Sequence, residues 1–310
     1  MGIDNRVTRL LGVEIPILQA PMGIVAQPPL VAAVSEAGAM GLIPGSMGID
    51  TTRQHIREVR ERTSRPFGVN LPIAFVQDPA IVDMIVEEGV EFVTTSAGSP
   101  NRFGPVLKEA GLIVFHVVPT LDAARRAVDA GVDGVVVEGS EGAGFKNPRD
   151  VPSMVLLPHV ASHVDVPVVA AGGMADGRSM AAAFALGAEG VQMGTRMLSS
   201  AEAGVHPAMK QAVVDAAETD TMLINRRNGR PIRVLRTATT EPFELGDGDA
   251  MSLIANTLAL YQDGDFEGAL PQLGAVAGRI DEILPAGEII ARTMAEFRET
   301  AVGLGRHAAT

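Results

Sequence analysis

The 310-residue chain predicts an α/β fold, a (β/α)8 TIM barrel with a small helical domain inserted after the eighth strand. Three observations carry this. A helical stretch, a glycine and an apolar run recur along the first two-thirds of the chain. The apolar runs are nearly continuous, as in strands covered on both faces. Near the end of the series, VVAAGGMADGRSMAAAFALGAEGVQMGT (168–195) sets an apolar strand, a Gly-Gly turn, an Ala-rich helix and a second strand ending in Gly194-Thr195.

Five strands follow a glycine helix cap: EAGAMGLIPG (36–45), EEGVEFVTT (87–95), EAGLIVFHV (109–117), DAGVDGVVV (129–137) and ALGAEGVQM (185–193). Three more begin at prolines: IPILQAPM (15–22), RPFGVNLPI (65–73) and VPVVAAGG (166–173). Segments such as LVAAVSEA and DAARRAVDA supply helices between them. An open, doubly wound sheet is the alternative arrangement. From Ala201 to about Gly274 the rhythm changes, with helical HPAMKQAVVDA and MSLIANTLALYQDG on either side of the Arg-rich NRRNGRPIRVLR. The expected division is a barrel over 1–205 and 275–310 and a helical, substrate-covering domain over 206–274. Ile280 to Phe297 reads as the last amphipathic helix.

A net charge of −12 argues against a nucleic-acid or acidic-membrane partner. The chain has no cysteine, which removes disulfides, thiolate metal sites and thiol catalysis, so redox chemistry must sit on a cofactor. No His pair stands at metal spacing, and Asp247-Gly-Asp249 and Asp263-Gly-Asp265 read as turns, so no metal site is expected. The start of the chain lacks an apolar signal core, Arg6 spoils a myristoylation pattern and no run is long enough to span a membrane. The expectation is a cytoplasmic protein with a small-molecule substrate; a homo-oligomer is left open.

In such barrels reactive groups lie at the C-terminal ends of the strands, and phosphate is held after the seventh and eighth. Gly172-Gly173 and Gly194-Thr195 fall at those places, with the helix after the Gly-Gly turn adding its positive end. Ala20-Pro21-Met22 follows the first strand. Asn70 is the one polar residue of FGVNLPI; a ligand or a neighbouring loop would satisfy it. The loop after the sixth strand, Glu138-Gly-Ser-Glu-Gly-Ala-Gly-Phe145-Lys146-Asn147, carries Lys146, one of three lysines, which is read either as a proton-handling group or as a solvated loop residue. His116 ends the fifth strand and is a ligand contact or a hydrogen-bonded core histidine. The arginines 226, 227, 230, 233 and 236 either cover an anion or form a solvated face.

The order ILQAPMG, FGVN, EGSEGAG, VVAAGGMADG, ALGAEGVQMGT and HPAMK resembles the nitronate monooxygenase family, also called 2-nitropropane dioxygenases, with its FMN-dependent NAD(P)H:quinone reductase and enoyl-reductase relatives. The resemblance implies that Ala20, Pro21 and Met22 meet the flavin ring, with Gln19 also near it. It implies that Asn70 bonds a polar edge of the cofactor and that Gly172, Gly173, Gly194 and Thr195 hold the FMN phosphate. It also exposes a departure. The family's sixth loop ends in Gly-His, and here Gly144 is followed by Phe145, which cannot accept a proton. Lys146 and His116 are the candidates to stand in. A second departure is Val117, where relatives often carry lysine.

The implied activity is that of an FMN-dependent oxidoreductase, nitronate monooxygenase-like, oxidising alkyl nitronates with oxygen. A nitronate is already deprotonated, so loss of the base need not abolish this reaction. The alternatives are an NAD(P)H-dependent FMN reductase acting on quinones or other flat acceptors, with Phe145 as a stacking surface, and a flavin-binding protein without turnover.

Overall fold

The alternation of glycine caps and apolar runs closes into a barrel in the computed structural model, which describes residues 2–246 and 248–308. Its strands are β1 (Ile17–Gln19), β2 (Gly41–Pro44), β3 (Phe67–Pro72), β4 (Phe92–Ser96), β5 (Ile113–Val118), β6 (Gly134–Glu138), β8 (Val168–Ala171) and β9 (Gly190–Met193). A short strand, β7 (Gly144–Phe145), stands apart from the barrel. The order is β1-β9-β8-β6-β5-β4-β3-β2, and every neighbouring pair is parallel. The ends meet through a Leu18–Met40 bridge, with Gln19 N donating to Met40 O and Met40 N to Ile17 O, both at 2.9 Å. That closure excludes the open sheet.

The barrel interior is filled by side chains such as Leu18, Leu42, Phe92, Phe115, Val136 and Val169, the two rings meeting edge-on with centroids 5.3 Å apart. Around it run α1 (Arg6–Leu11), α2 (Pro28–Glu36), α3 (Ile49–Arg62), α4 (Ile81–Glu87), α5 (Gly104–Glu109), α6 (Leu121–Asp129), α7 (Ser153–Ala161), α8 (Gly177–Ala185) and α9 (Thr195–Leu198). The last helix, α12 (Ala286–Ala308), starts just after Pro285 and continues beyond the expected Phe297. It packs on α8 through Phe184 and Phe297. Among the described residues no helix is long and apolar enough to cross a membrane.

Residues 206–274 correct the helical expectation. They contain α10 (Pro207–Val214) and α11 (Thr257–Asp263), but also β10 (Thr221–Ile224) and β11 (Ile232–Leu235). These strands pair antiparallel, and β11 pairs in turn with β7 of the sixth loop, Ile232 opposite Phe145 and Arg233 opposite Gly144. The physical reason is a small core of Met222, Ile224, Ile232, Val234, Ala250 and Leu270, which alternating strand positions supply and a helix over IRVL would scatter. The Arg-rich segment is its turn: Asn225 and Gly229 both adopt the left-handed conformation. Asp249 caps the start of residues 250–256, and Asp263 precedes a left-handed Gly264, so both read as turn residues; Asp247 lies outside the described residues.

Candidate active site

The C-terminal ends of the strands converge on a cavity of about 540 Å³. Ala20, Pro21 and Met22 after β1, Asn70 in β3, Gly172 and Gly173 after β8, and Gly194 and Thr195 after β9 all line it. All eight residues expected to bind the cofactor are therefore brought to one site. Thr257, Leu258, Tyr261 and Gln272 close it from the 206–274 segment.

The Gly172-Gly173 turn has φ of +87° and +79°, a conformation that favours glycine at both positions. A methyl group on Gly172 would also lie 3.1 Å from the Gly139 carbonyl. The expected contribution from the following helix needs correction. α8 begins at Gly177, and its N-terminus is already capped by Asp176, whose carboxylate accepts from Ser179 N at 2.8 Å and pairs with Arg279. The turns themselves are left to meet an anion.

Asn70 Nδ2 donates to Thr94 O, Thr94 Oγ1 and Ser96 Oγ of neighbouring β4, at 3.2, 3.0 and 3.3 Å. The amide is thus oriented by the barrel while its residue faces the cavity. Gln19 does not line the cavity: its side chain bridges to Leu42, donating to O and accepting from N, and is fully buried in that role. The glutamine that does face the cavity is Gln192 in β9, whose buried Oε1 has no hydrogen-bond partner. It carries the same signal as Asn70, a lone amide in an apolar strand, and was not singled out.

The three residues considered for catalysis fall in different places. Phe145 is exposed on the cavity rim, its ring 6.0 Å from that of Phe75. His116 is buried and does not line this cavity; it faces a second one of about 440 Å³. Its Nδ1 is bonded to Thr95 Oγ1 at 2.7 Å, and burial pushes its pKa down to about 4, against a smaller opposing effect of the Gly98 backbone. Lys146 is no solvated loop lysine: its side chain is 4% exposed and Nζ stands 2.5 Å from Glu138 Oε1. That ion pair lacks hydrogen-bond alignment, so the amine has no hydrogen bond. Glu138, at the end of β6, lines both cavities.

Three of the arginines of 226–236 have identified partners. Arg226 pairs with Asp150 and Arg236 with Glu244. Arg233 is tucked inward and donates to Ser140 O of the sixth loop at 2.9 Å, burial pushing its pKa down.

A closed parallel barrel whose strand ends carry Gly-Gly and Gly-Thr turns around one deep cavity defines a cofactor-using barrel enzyme. The chain belongs to the nitronate monooxygenase family, whose profile matches residues 4–81 and 73–296, and it is a flavin oxidoreductase of that family. It is 36% identical over 250 residues to the (3aS,4S,5R,7aS)-5-hydroxy-7a-methyl-1-oxo-octahydro-1H-indene-4-carboxyl-CoA dehydrogenase of Mycobacterium tuberculosis, covering 79% of this chain and 70% of that one. Among solved structures it is similar to FabK from Thermotoga maritima, with 42% identity, a TM-score of 0.92 and coverage of 98% and 99%. It is also similar to a nitroalkane oxidase from Streptomyces ansochromogenes, with 28% identity, a TM-score of 0.84 and coverage of 97% and 100%.

Proposed function

We propose that the chain is an FMN-dependent oxidoreductase whose substrate is an acyl thioester of the CoA type. The observation that carries the cofactor is the convergence of Gly172, Gly173, Gly194 and Thr195 at the ends of adjacent strands, beside the orphaned Gln192 Oε1. A phosphate fits the two glycine-bearing turns, and a buried amide oxygen without a partner fits a donor on the ligand. Bound there, FMN supplies a two-electron donor and acceptor. Asn70, held by Thr94 and Ser96, would orient a polar edge of the cofactor, and Ala20, Pro21 and Met22 would hold its apolar part. Residues 1–205 and 275–310 form the FMN-binding barrel, and 206–274 cover the substrate.

The second cavity supports the thioester. It shares Ser96, Val117, Glu138 and Phe145 with the first, so a substrate at the cofactor can extend into it. A small alkyl nitronate needs no such extension, whereas a thioester arm does. The CoA dehydrogenase relative favours the same class. Alkyl nitronates, oxidised with oxygen, are the second reading, favoured by the nitroalkane oxidase relative and by Phe145 standing where the family's base would be.

The test is an anaerobic absorbance titration of the purified protein, following the flavin bands, with NAD(P)H, butyryl-CoA and propyl nitronate added separately. Bleaching by butyryl-CoA, or by NAD(P)H with return of the bands on adding crotonyl-CoA, is the expected result. Bleaching by propyl nitronate alone replaces the thioester with the nitronate reading. NAD(P)H bleaching that only a quinone reverses makes the protein a quinone-type reductase, and flavin that no donor bleaches makes it a binding protein without turnover.

A further inference from the structure

Three titratable side chains line the larger cavity among the described residues: Glu138, Glu141 and Tyr261. Two of them are committed elsewhere. Glu141 accepts from Ser153 N at 3.0 Å and from Ser153 Oγ at 2.8 Å, which fixes it at the start of α7. Tyr261 is buried, and burial pushes its hydroxyl up to about 12, so it keeps its proton. Glu138 remains. It ends a fully apolar strand run, stands where the two cavities join, and its carboxylate is held by an amine that is itself almost completely buried.

The packing around this pair is specific. A methyl group on Gly142 would lie 2.5 Å from Glu138 Oε1 and 2.7 Å from Lys146 Nζ, so the pair occupies the space that a side chain at 142 would take. The groups facing Glu138 across both cavities are Lys146, Glu141, Tyr261, His116, Arg126 and Asp150, of which Asp150 is paired with Arg226 and Arg126 with Asp122. Lys146 is the one that touches it.

We infer that Glu138 is the general base of this enzyme, taking a proton from the carbon next to the carbonyl or nitro group of its substrate, and that Lys146 is the residue that positions it. The inference rests on the flavin oxidoreductase reading and names the proton acceptor which that reading lacks once Phe145 replaces a histidine. In the step the Cα–H bond breaks, the proton passes to a carboxylate oxygen of Glu138, and the electron pair stays on the substrate as an enolate or nitronate. The resulting carboxylic acid exchanges its proton with solvent and can return it. Lys146 holds the carboxylate in place through the ion pair that its buried amine makes with Oε1.

Proton exchange tests this without electron transfer. The flavin-loaded protein is incubated in D2O with butyryl-CoA and, separately, with 1-nitropropane, and deuterium entering the α-carbon is followed by NMR over a range of probe concentrations. The wild type exchanges at least one probe faster than buffer, and Glu138→Gln slows this by about 100-fold or more. In Lys146→Met the maximal exchange rate falls by about tenfold or more while the probe concentration at half-saturation stays the same, and Lys146→Arg recovers most of the loss. Undiminished exchange in Glu138→Gln, or no wild-type exchange with either probe, overturns the base assignment. An unchanged maximal rate in Lys146→Met removes its positioning role. Failure of the flavin reading is separately visible, as a protein without visible absorbance after addition of FMN.

Discussion

His116 Nδ1 and Thr95 Oγ1 stand 2.7 Å apart, joining two buried side chains across the adjacent strands β5 and β4. The contact belongs to the barrel wall, and the ring lines the smaller cavity and not the larger. Burial holds the imidazole neutral, with its pKa near 4 instead of the 6.5 of a free histidine.

This depressed pKa makes stability depend on pH. Between 6.5 and 4 the unfolded chain binds a proton at this position that the folded chain refuses. The histidine's contribution is complete above about pH 6.5 and is lost as the pH falls towards 4. From pH 7.5 to pH 5 it amounts to about 2 kcal/mol. Urea unfolding at the two pH values, compared between the wild type and His116→Gln, should give a wild-type loss larger by about that amount; equal losses would remove His116 as the cause.

Gly173→Asp should fold and lose its flavin. An added Cβ meets nothing closer than Glu141 Cβ at 4.0 Å, so space is available, although φ of +79° strains any side chain there. The carboxylate would stand in the turn proposed for the phosphate, and flavin retained per protein should fall by at least about tenfold. The ratio of visible to protein absorbance after gel filtration measures it, and full retention would remove the phosphate from this turn.

Arg233→Met should loosen the sixth loop while leaving the barrel intact. The substitution keeps an apolar stem but removes the hydrogen bond to Ser140 O, a charged-donor contact of about 1.5–3 kcal/mol. Hydrogen exchange across 139–147 should speed up by about tenfold or more, with the strand amides of β3 to β5 unchanged. Exchange rising equally throughout would mean general destabilisation instead.

Phe145→His should add a second proton acceptor at the cavity rim. Anaerobic flavin bleaching by neutral 1-nitropropane should rise by about tenfold or more, with less change for its nitronate, which needs no deprotonation. An unchanged rate with flavin still bound would place position 145 outside the chemistry.

The barrel was legible because its signals are local: a glycine cap and an apolar run specify each β/α unit with no knowledge of the others. The convergence of the eight positions on one cavity was legible for the same reason, since barrel geometry brings strand ends together whatever the intervening helices do. What escaped was non-local. β11 is four residues long and carries an arginine in its middle, and its pairing with Gly144 and Phe145 joins segments far apart in the chain. The burial of Lys146 depends on that pairing and on Glu138, whose place at the end of GVVVE was visible but whose partner was not. Gln192 carries the same local signal as Asn70, a lone amide in an apolar strand.

The antiparallel pairing of β7 with β11 has a consequence for how such enzymes diversify. The segment bearing Phe145 and Lys146 is at once a loop of the barrel and the edge strand of the inserted sheet. The sixth loop and the inserted sheet are therefore one hydrogen-bonded unit. Grafting residues 206–274 from a relative onto this barrel without residues 139–147 would leave β11 without the sixth-loop strand it pairs with, so the two segments can be exchanged together more readily than one at a time.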